Sequence, residues 1–268
     1  MLREGLIKGT EKPLSNRTKD SYSIQSVDNA LDVLEAICEE EEEIRVSHLS
    51  ERLGMTKMSL FRYLATFENR GYVEKVNNSH RYRLGLSAYE IGQKFLLRMG
   101  LLKKAKPVIE QLARRCNEAL YLVIARGKEV LMLDMVDTTH QVRIAPLVGC
   151  RYPMEMTSAG RVMLAYSSQH RSLFDKKQIR AIEEDLADIS KCGCALDEGC
   201  FGEGISSLSV PVIDAQGQVP GCLCMIGPDF RFESDRINED LLPNLVEAGI
   251  VVSSKLGYVG HINNKLLY

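Results

Sequence analysis

Apolar residues recur along this chain in two rhythms, and the change of rhythm divides it. Residues 1–22 have no periodicity and are rich in Lys, Arg, Ser, Thr and Asn, which predicts a mobile arm. From Ser26 a stripe of Val27, Ala30, Leu31, Val33, Leu34 and Ile37 repeats at helical spacing, with Ser26 as the expected N-cap. The five glutamates of 39–43 repel one another, so a solvated helix end or loop is expected there. "IRVSHLSERLG" predicts a second short helix, capped by Ser47 and stopped by Gly54. A third starts behind Thr56, turns Leu60, Leu64 and Phe67 inward, and ends at Gly71. Tyr72, Val73 and Val76, the turn "NNS", then Tyr82 and Leu84 read as a hairpin. Helix, helix, turn, helix and hairpin over residues 23–85 make a winged helix-turn-helix.

Residues 86–100, "LSAYEIGQKFLLRMG", predict a further amphipathic helix. Its Tyr89, Ile91, Phe95 and Leu96 offer more apolar surface than a tether needs, so it is expected to pair with a second copy. Next comes another helical stretch, in which Pro107 is expected to open a new helix. From about residue 119 the rhythm shifts to two. "LYLVIARGKEVLMLDMV" predicts two strands around Arg126-Gly127-Lys128, and "HQVRIAPLV" a third. "SAGRVMLAYS" and residues 169–190 read as helices. "GISSLSVPVIDAQGQVPGCLCMIGP" reads as a hairpin turning at 214–217, and 234–257 as a last helix. The fold class is α+β: residues 101–268 place a central antiparallel sheet between helices.

Composition narrows the function. The chain has 268 residues, 45% hydrophobic and 26% charged, with a net charge of −2, so any nucleic-acid site is a local patch. It lacks the ~18 consecutive apolar residues of a membrane span, and its N-terminus lacks the apolar core of a signal peptide. A cytoplasmic protein with no membrane partner is expected, its eight cysteines reduced. The five histidines form no cluster in sequence, and no hydrolase motif is present. Neither an enzyme nor a cofactor is expected.

The local patch lies at "GMTKMSLFRYL", residues 54–64. A helix-turn-helix presents the N-terminal end of its second helix to base edges in the major groove. Lys57, Met58, Ser59, Phe61 and Arg62 occupy that end. Arg62 can reach a guanine edge or a phosphate. Arg81 and Arg83 on the wing suit the adjoining backbone or minor groove. Over residues 52–85 seven cations stand against two acids, a local balance of +5, the footprint expected of phosphate contact. A basic face that binds protein is the alternative.

"SVDNALDVLEAI", "HLSERLGMTKMSLFRYLATFENRGYVEK", "YRLG", "PLVGCRYPMEMTSAGRVMLAY" and "DEGCFGEGISSLSVPVIDAQGQVPGCLCMIGP" resemble, in order and spacing, the IclR family of bacterial transcription regulators. The resemblance covers residues 23–258. It implies a winged helix, a linker helix and an effector domain resembling a GAF fold. It also implies dimers or tetramers on double-stranded, pseudo-palindromic operators, with small organic acids as effectors.

Carried over by position, the family's effector pocket falls on Ser158, Ala159, Gly160, Asp197, Ile205, Ser207, Cys224 and Ile226. The chemistry fits. "TSAG" opens a helix whose free amides can hold a carboxylate, Ser158 and Ser207 add donors, and Ile205 and Ile226 wall the apolar part. Helix capping by Thr157 or Ser158 is the plainer alternative. The family often has Cys where Ser207 stands and small hydroxyl residues at Cys224 and Ile226, so this pocket suits a bulkier or more apolar acid than glyoxylate or pyruvate. Asp197 would repel an anionic ligand unless it bonds a ligand hydroxyl or orients a backbone amide. Cys192, Cys194, Cys200, Cys222 and Cys224 raise the alternative of a metal- or redox-sensing regulator. Their C-x-C spacing is not that of structural zinc, and Cys222 and Cys224 share one strand face.

Overall fold

The N-terminal helices form around a short run of large apolar side chains. The computed structural model describes residues 23–40, 43–76 and 79–260; the arm expected at 1–22 lies outside the described residues, as do residues 41–42 and the hairpin tip at 77–78. The chain divides into two units between Arg98 and Met99. In the first, α1 (Gln25–Cys38), the two-residue strand β1 (Ile44–Arg45), α2 (Val46–Leu53) and α3 (Lys57–Asn69) precede a hairpin of β2 (Val73–Lys75) and β3 (Arg81–Leu84). Val33, Ile37, Leu49, Leu60, Leu64, Val73 and Tyr82 share one core. Leu60 and Leu64 are fully buried, each contributing about 1.5–3 kcal/mol.

Several local signals act as expected. Thr56 caps α3 by accepting the Ser59 amide at 3.3 Å. At the far end the Gly71 amide bonds Glu68 O at 3.0 Å and the Tyr72 amide bonds Phe67 O at 2.9 Å. Gly71 sits at φ +72°, and the Phe67 and Tyr72 rings meet edge to face at 6.3 Å. This is a Schellman stop sealed by an apolar contact. The Ser50 hydroxyl donates to Met55 O at 2.6 Å across the turn between α2 and α3. Two expected caps are corrected. α1 begins at Gln25 behind Ile24, so Ser26 lies inside it. α2 begins at Val46 because Arg45 is held extended by antiparallel pairing with Arg81, which places Ser47 in the first turn. β1 itself was not expected; it makes the wing three-stranded, in the order β1-β3-β2. α4 (Leu86–Arg98) follows and has no buried residue.

The second unit has three layers. Its six-stranded antiparallel sheet runs β6 (Arg151–Pro153), β5 (Glu129–Val136), β4 (Ala119–Arg126), β9 (Gly221–Pro228), β8 (Ile205–Val212), β7 (Ala195–Glu198). Strand alternation decides which layer each residue joins. Leu120, Leu122, Leu223 and Met225 face α5 (Gly100–Cys116) and α11 (Leu242–Lys255). Ala119, Tyr121, Val123, Cys222, Cys224 and Ile226 face the opposite layer, built from α6 (Ser158–Tyr166) and α9 (Glu183–Cys192). Both faces are covered, which explains why β9 reads as a near-continuous apolar run and why all but the first residue of β8 are buried, its three serines included. The fully buried Glu118 accepts from Arg231 Nε at 2.8 Å and Arg236 Nη1 at 2.7 Å. Two guanidiniums thereby compensate the desolvation of one carboxylate.

Four expectations here are corrected. α5 continues through Pro107, which is exposed, so water can satisfy the carbonyl it leaves unpaired. Residues 140–148 form a loop, not a strand. Asn117, in left-handed conformation at φ +50°, holds Thr138 and Thr139, and Arg231 holds Val142 O at 2.8 Å. Ile144 and Leu147 still pack inward, but without ladder bonds. Residues 169–190 break into α7 (Ser168–Arg171), α8 (Lys176–Arg180) and α9, α8 being restarted by Gln178 bonding back to the Asp175 amide at 3.1 Å. The last helix begins as α10 (Ser234–Arg236), passes through a π turn over Ile237–Leu241, and resumes as α11 just before Pro243.

Candidate nucleic-acid and effector sites

The outer end of α3 carries the predicted reading head. Lys57, Met58 and Arg62 are exposed, and neither cation has an acidic partner among the described residues. Met58 is 78% exposed, far more than a thioether gains from water, so it is available for apolar contact. Ser59 is already engaged: its hydroxyl lies 3.0 Å from that of Thr56. Phe61 packs edge to face on His80 at 6.3 Å, which makes it a strut between α3 and the wing.

The wing cations are not free. Arg83 pairs with Glu74 at 3.0 Å and Arg81 with Glu43 at 3.6 Å. Arg52 pairs with Glu39, and with Glu40 at 3.0 Å. The balance of +5 counted Glu74 but stopped short of Glu39, Glu40 and Glu43, which lie at the expected solvated end of α1 and in the loop after it and pair there with Arg52 and Arg81. Exposed pairs of this kind contribute about 0–1 kcal/mol, so a phosphate can displace them.

In the second unit, Ser158, Ala159, Gly160, Ser207, Cys224 and Ile226 are all buried beneath the start of α6, with Ile205 partly buried beside them. The Ser158 hydroxyl lies 2.7 Å from that of Ser207 and 2.8 Å from that of Ser209. Cys224 Sγ is 4.0 Å from it, and burial pushes that thiol up to about 11. Ser158, Ser207 and Ser209 have no solvent-accessible surface, so the hydroxyls satisfy one another and a ligand reaches them only by parting α6 from β8. Gly160 does not offer its amide: that group donates to Thr157 Oγ1 at 3.0 Å. The amides of Ser158 and Ala159 donate to nothing among the described residues, as first-turn amides of a helix do, and such amides suit an anion.

Asp197 is committed as well. It accepts the Cys200 amide at 3.2 Å and lies 3.4 Å from Arg161 Nη2. Burial raises its carboxyl above the usual range, although the Cys200 amide and Arg161 pull the other way. Of the readings for Asp197, the orientation of a backbone amide is the one the geometry contains.

Three further residues belong here. Ser209 is legible in "SSLS", two positions from Ser207 on one strand face. Tyr121 follows from the alternation of β4; its hydroxyl is buried near the Leu147 backbone, and burial pushes it up to about 12. Arg161 had no local signal. It reaches Asp185 on α9 at 2.9 Å, Leu196 O at 2.9 Å and Asp197. No three His, Cys, Asp or Glu side chains among the described residues converge on a metal site. No described helix is long and apolar enough to cross a membrane.

A winged helix-turn-helix with an exposed basic helix end, followed in the same chain by a three-layer α+β unit, has the build of a DNA-binding transcription regulator. Residues 26–77 match the IclR helix-turn-helix domain, and residues 93–254 match the C-terminal domain of the bacterial transcriptional regulator IclR. The chain belongs to the IclR family and is a bacterial transcription regulator. It is 28% identical over 257 residues to the HTH-type transcriptional regulator KdgR of Escherichia coli K12, covering 90% of this chain and 95% of that protein. The transcriptional repressor IclR of the same organism is 25% identical over 247 residues, covering 87% and 90%. Among solved structures, an IclR-type regulator from Alicyclobacillus acidocaldarius superposes with a TM-score of 0.75 at 25% identity, over 88% of this chain and 100% of that one. An IclR homologue from Microbacterium hydrocarbonoxydans, complexed with 4-hydroxybenzoate, has the same fold at a TM-score of 0.75 and 20% identity, over 87% and 99%.

Proposed function

We propose that the protein binds a pseudo-palindromic operator as a homodimer or tetramer, and that a small organic acid sets its affinity for that operator. The observation that carries this reading is the exposed end of α3, where Lys57, Met58 and Arg62 stand without protein partners among the described residues. Lys57 and Ser59 position the helix on phosphate, Arg62 reads a base edge, and Arg81 and Arg83 exchange carboxylates for backbone phosphates. Self-association is supported by α4, whose Leu86, Tyr89, Ile91, Phe95 and Leu97 are all more than half exposed, apolar surface that a second copy would cover in part. The acid is held at the Ser158 and Ala159 amides, walled by Ile205 and Ile226. The crystallised homologue bound to 4-hydroxybenzoate supports an acid of that bulk.

The test is fluorescence anisotropy on operator DNA. Arg62→Ala weakens binding by roughly 5- to 150-fold, the value of a good side-chain–base pair of ~1–3 kcal/mol. Arg81→Ala weakens all sequences alike and flattens the salt dependence. If both variants match wild type at equal salt, the assignment is wrong. A thermal-shift screen of carboxylic acids on the full chain tests the effector half, since a ligand of the folded form raises the melting temperature.

A further inference from the structure

We propose that Cys192 and Cys194 form a redox-active dithiol that closes to an intramolecular disulfide when the protein meets a hydroperoxide. The two thiols flank Gly193, which ends α9 in the left-handed region at φ +81° and donates to Ile189 O at 2.8 Å. That conformation, open to glycine at no steric cost, folds the chain back so that side chains two residues apart converge. Their sulfurs lie 3.8 Å apart, in van der Waals contact. Closure to the ~2.05 Å of a disulfide asks for side-chain rotation and a small adjustment of one turn.

The surroundings assign the roles. Cys192 is partly exposed and Cys194 buried, so a small oxidant meets Cys192 first. Cys194, pushed up to about 12 by burial and by Cys192, stays a thiol until its partner is electrophilic. The Tyr166 hydroxyl is buried with no hydrogen-bond partner among the described residues, within electrostatic reach of Cys192, Cys194 and Cys222. An uncommitted donor beside two thiols is what a thiolate or sulfenate needs. The Cys192 thiolate attacks one peroxide oxygen, breaking the O–O bond and leaving a sulfenic acid and, for hydrogen peroxide, hydroxide that takes up the thiol proton as water. The Cys194 sulfur then attacks the Cys192 sulfur, its proton leaving with the hydroxyl as a second water. Two electrons pass from the thiols to the peroxide.

Oxidation is felt beyond the turn. α9 supplies Asp185 and β7 supplies Leu196 O and Asp197, the three partners of Arg161 on α6. The C-G-C turn joins those two elements, so a disulfide there resets the clamp on the helix that carries Ser158 and Ala159.

The test uses the reduced full chain, titrated with hydrogen peroxide, blocked with N-ethylmaleimide and mapped by peptide mass. The expected result is a Cys192–Cys194 disulfide reversed by dithiothreitol, with a melting temperature that shifts on oxidation and returns on reduction. Cys194→Ser should stop at a dimedone-reactive sulfenic acid on Cys192, and Tyr166→Phe should slow oxidation of Cys192 with a changed pH profile. The proposal is overturned if both cysteines still carry maleimide at a dose that oxidises the exposed Cys38 and Cys150, or if Cys192 pairs elsewhere. Should Cys194→Ser fail to fold, the wild-type map decides alone.

Discussion

Replacing Ser158 by alanine separates two uses of the hydroxyl cluster, because the structure gives its members unequal duties. Ser158 bonds both Ser207 and Ser209, whereas among the described residues Ser207 has Ser158 as its only side-chain partner. Each neutral hydrogen bond contributes about 0.5–1.5 kcal/mol, and a buried group left unsatisfied costs about 1–3 kcal/mol. Ser158→Ala removes two bonds and strands the Ser207 hydroxyl, while Ser209 can turn to the Cys224 thiol. The expected loss is about 2–4 kcal/mol. Ser207→Ala removes one bond and strands nothing, so about 0.5–1.5 kcal/mol is expected. The double variant removes donor and orphan together and costs less than the two singles summed. The fully buried Cys222 and Cys224 provide the assay, since the urea dependence of their alkylation reports opening of this unit alone. A Ser158→Ala cost below about 0.5 kcal/mol, or one equal to that of Ser207→Ala, would refute the assignment of the cluster as a structural clasp between α6 and β8.

Glu43→Gln releases Arg81 from its 3.6 Å pair and should tighten DNA binding a few-fold at low salt, read by anisotropy; weaker binding would show that the pair preorganises the wing. Gly160→Ala places a Cβ 2.0 Å from Met154 O and 2.6 Å from its carbonyl carbon. Both are backbone atoms that cannot step aside, so the melting temperature of the second unit should fall despite alanine's better helix propensity. Burial lowers the His170 pKa in the folded protein, so the unfolded chain takes up its proton first as pH falls. Stability held above about 6.5 is then lost as pH drops toward the folded value, and a pH series of melting curves should be flatter for His170→Gln.

Local chemistry made the first unit legible, because its decisive signals are short. Thr56, Gly71 and the Leu60–Leu64–Phe67 stripe each act within one or two turns, and each acts as read. The errors came where a distant residue overrides a local preference. Ser26 and Ser47 are good caps, but pairing of Arg45 with β3 and a first turn of α1 that bonds back to Ile24 O leave them unused. Residues 140–148 have a strand's alternation, yet Asn117 and Arg231, remote in sequence, hold their backbone as a loop. At the candidate pocket, the resemblance brought Ser158, Ser207, Cys224 and Ile226 to one place. It did not reveal that the hydroxyls saturate each other or that Arg161 lies beside them, because those are facts of three-dimensional neighbourhood.

The arrangement around α6 gives Asp197 a different meaning from that of a ligand contact. A carboxylate near an anion site repels the anion unless its charge is matched. Here Arg161 stands between Asp197 and Asp185, and Asp197 spends its other oxygen on the Cys200 amide. The two acids hold one cation beside the serine cluster, Asp197 standing directly across the β7–β8 ladder from Ser207, and they tie α6 to β7 and α9. An acid arriving at the Ser158 and Ala159 amides adds negative charge to the helix's positive end, favourable by roughly 0.3–2 kcal/mol depending on burial. It must also break the Ser158 clasp. Because α6 is one short rigid element, opening at Ser158 is transmitted within a turn to Arg161 and its three partners. On the proposed function α6 is then a lever, with the effector at one end and the α9–β7 turn at the other. A ligand that leaves the Ser158 hydroxyl bonds intact has no physical means of moving it.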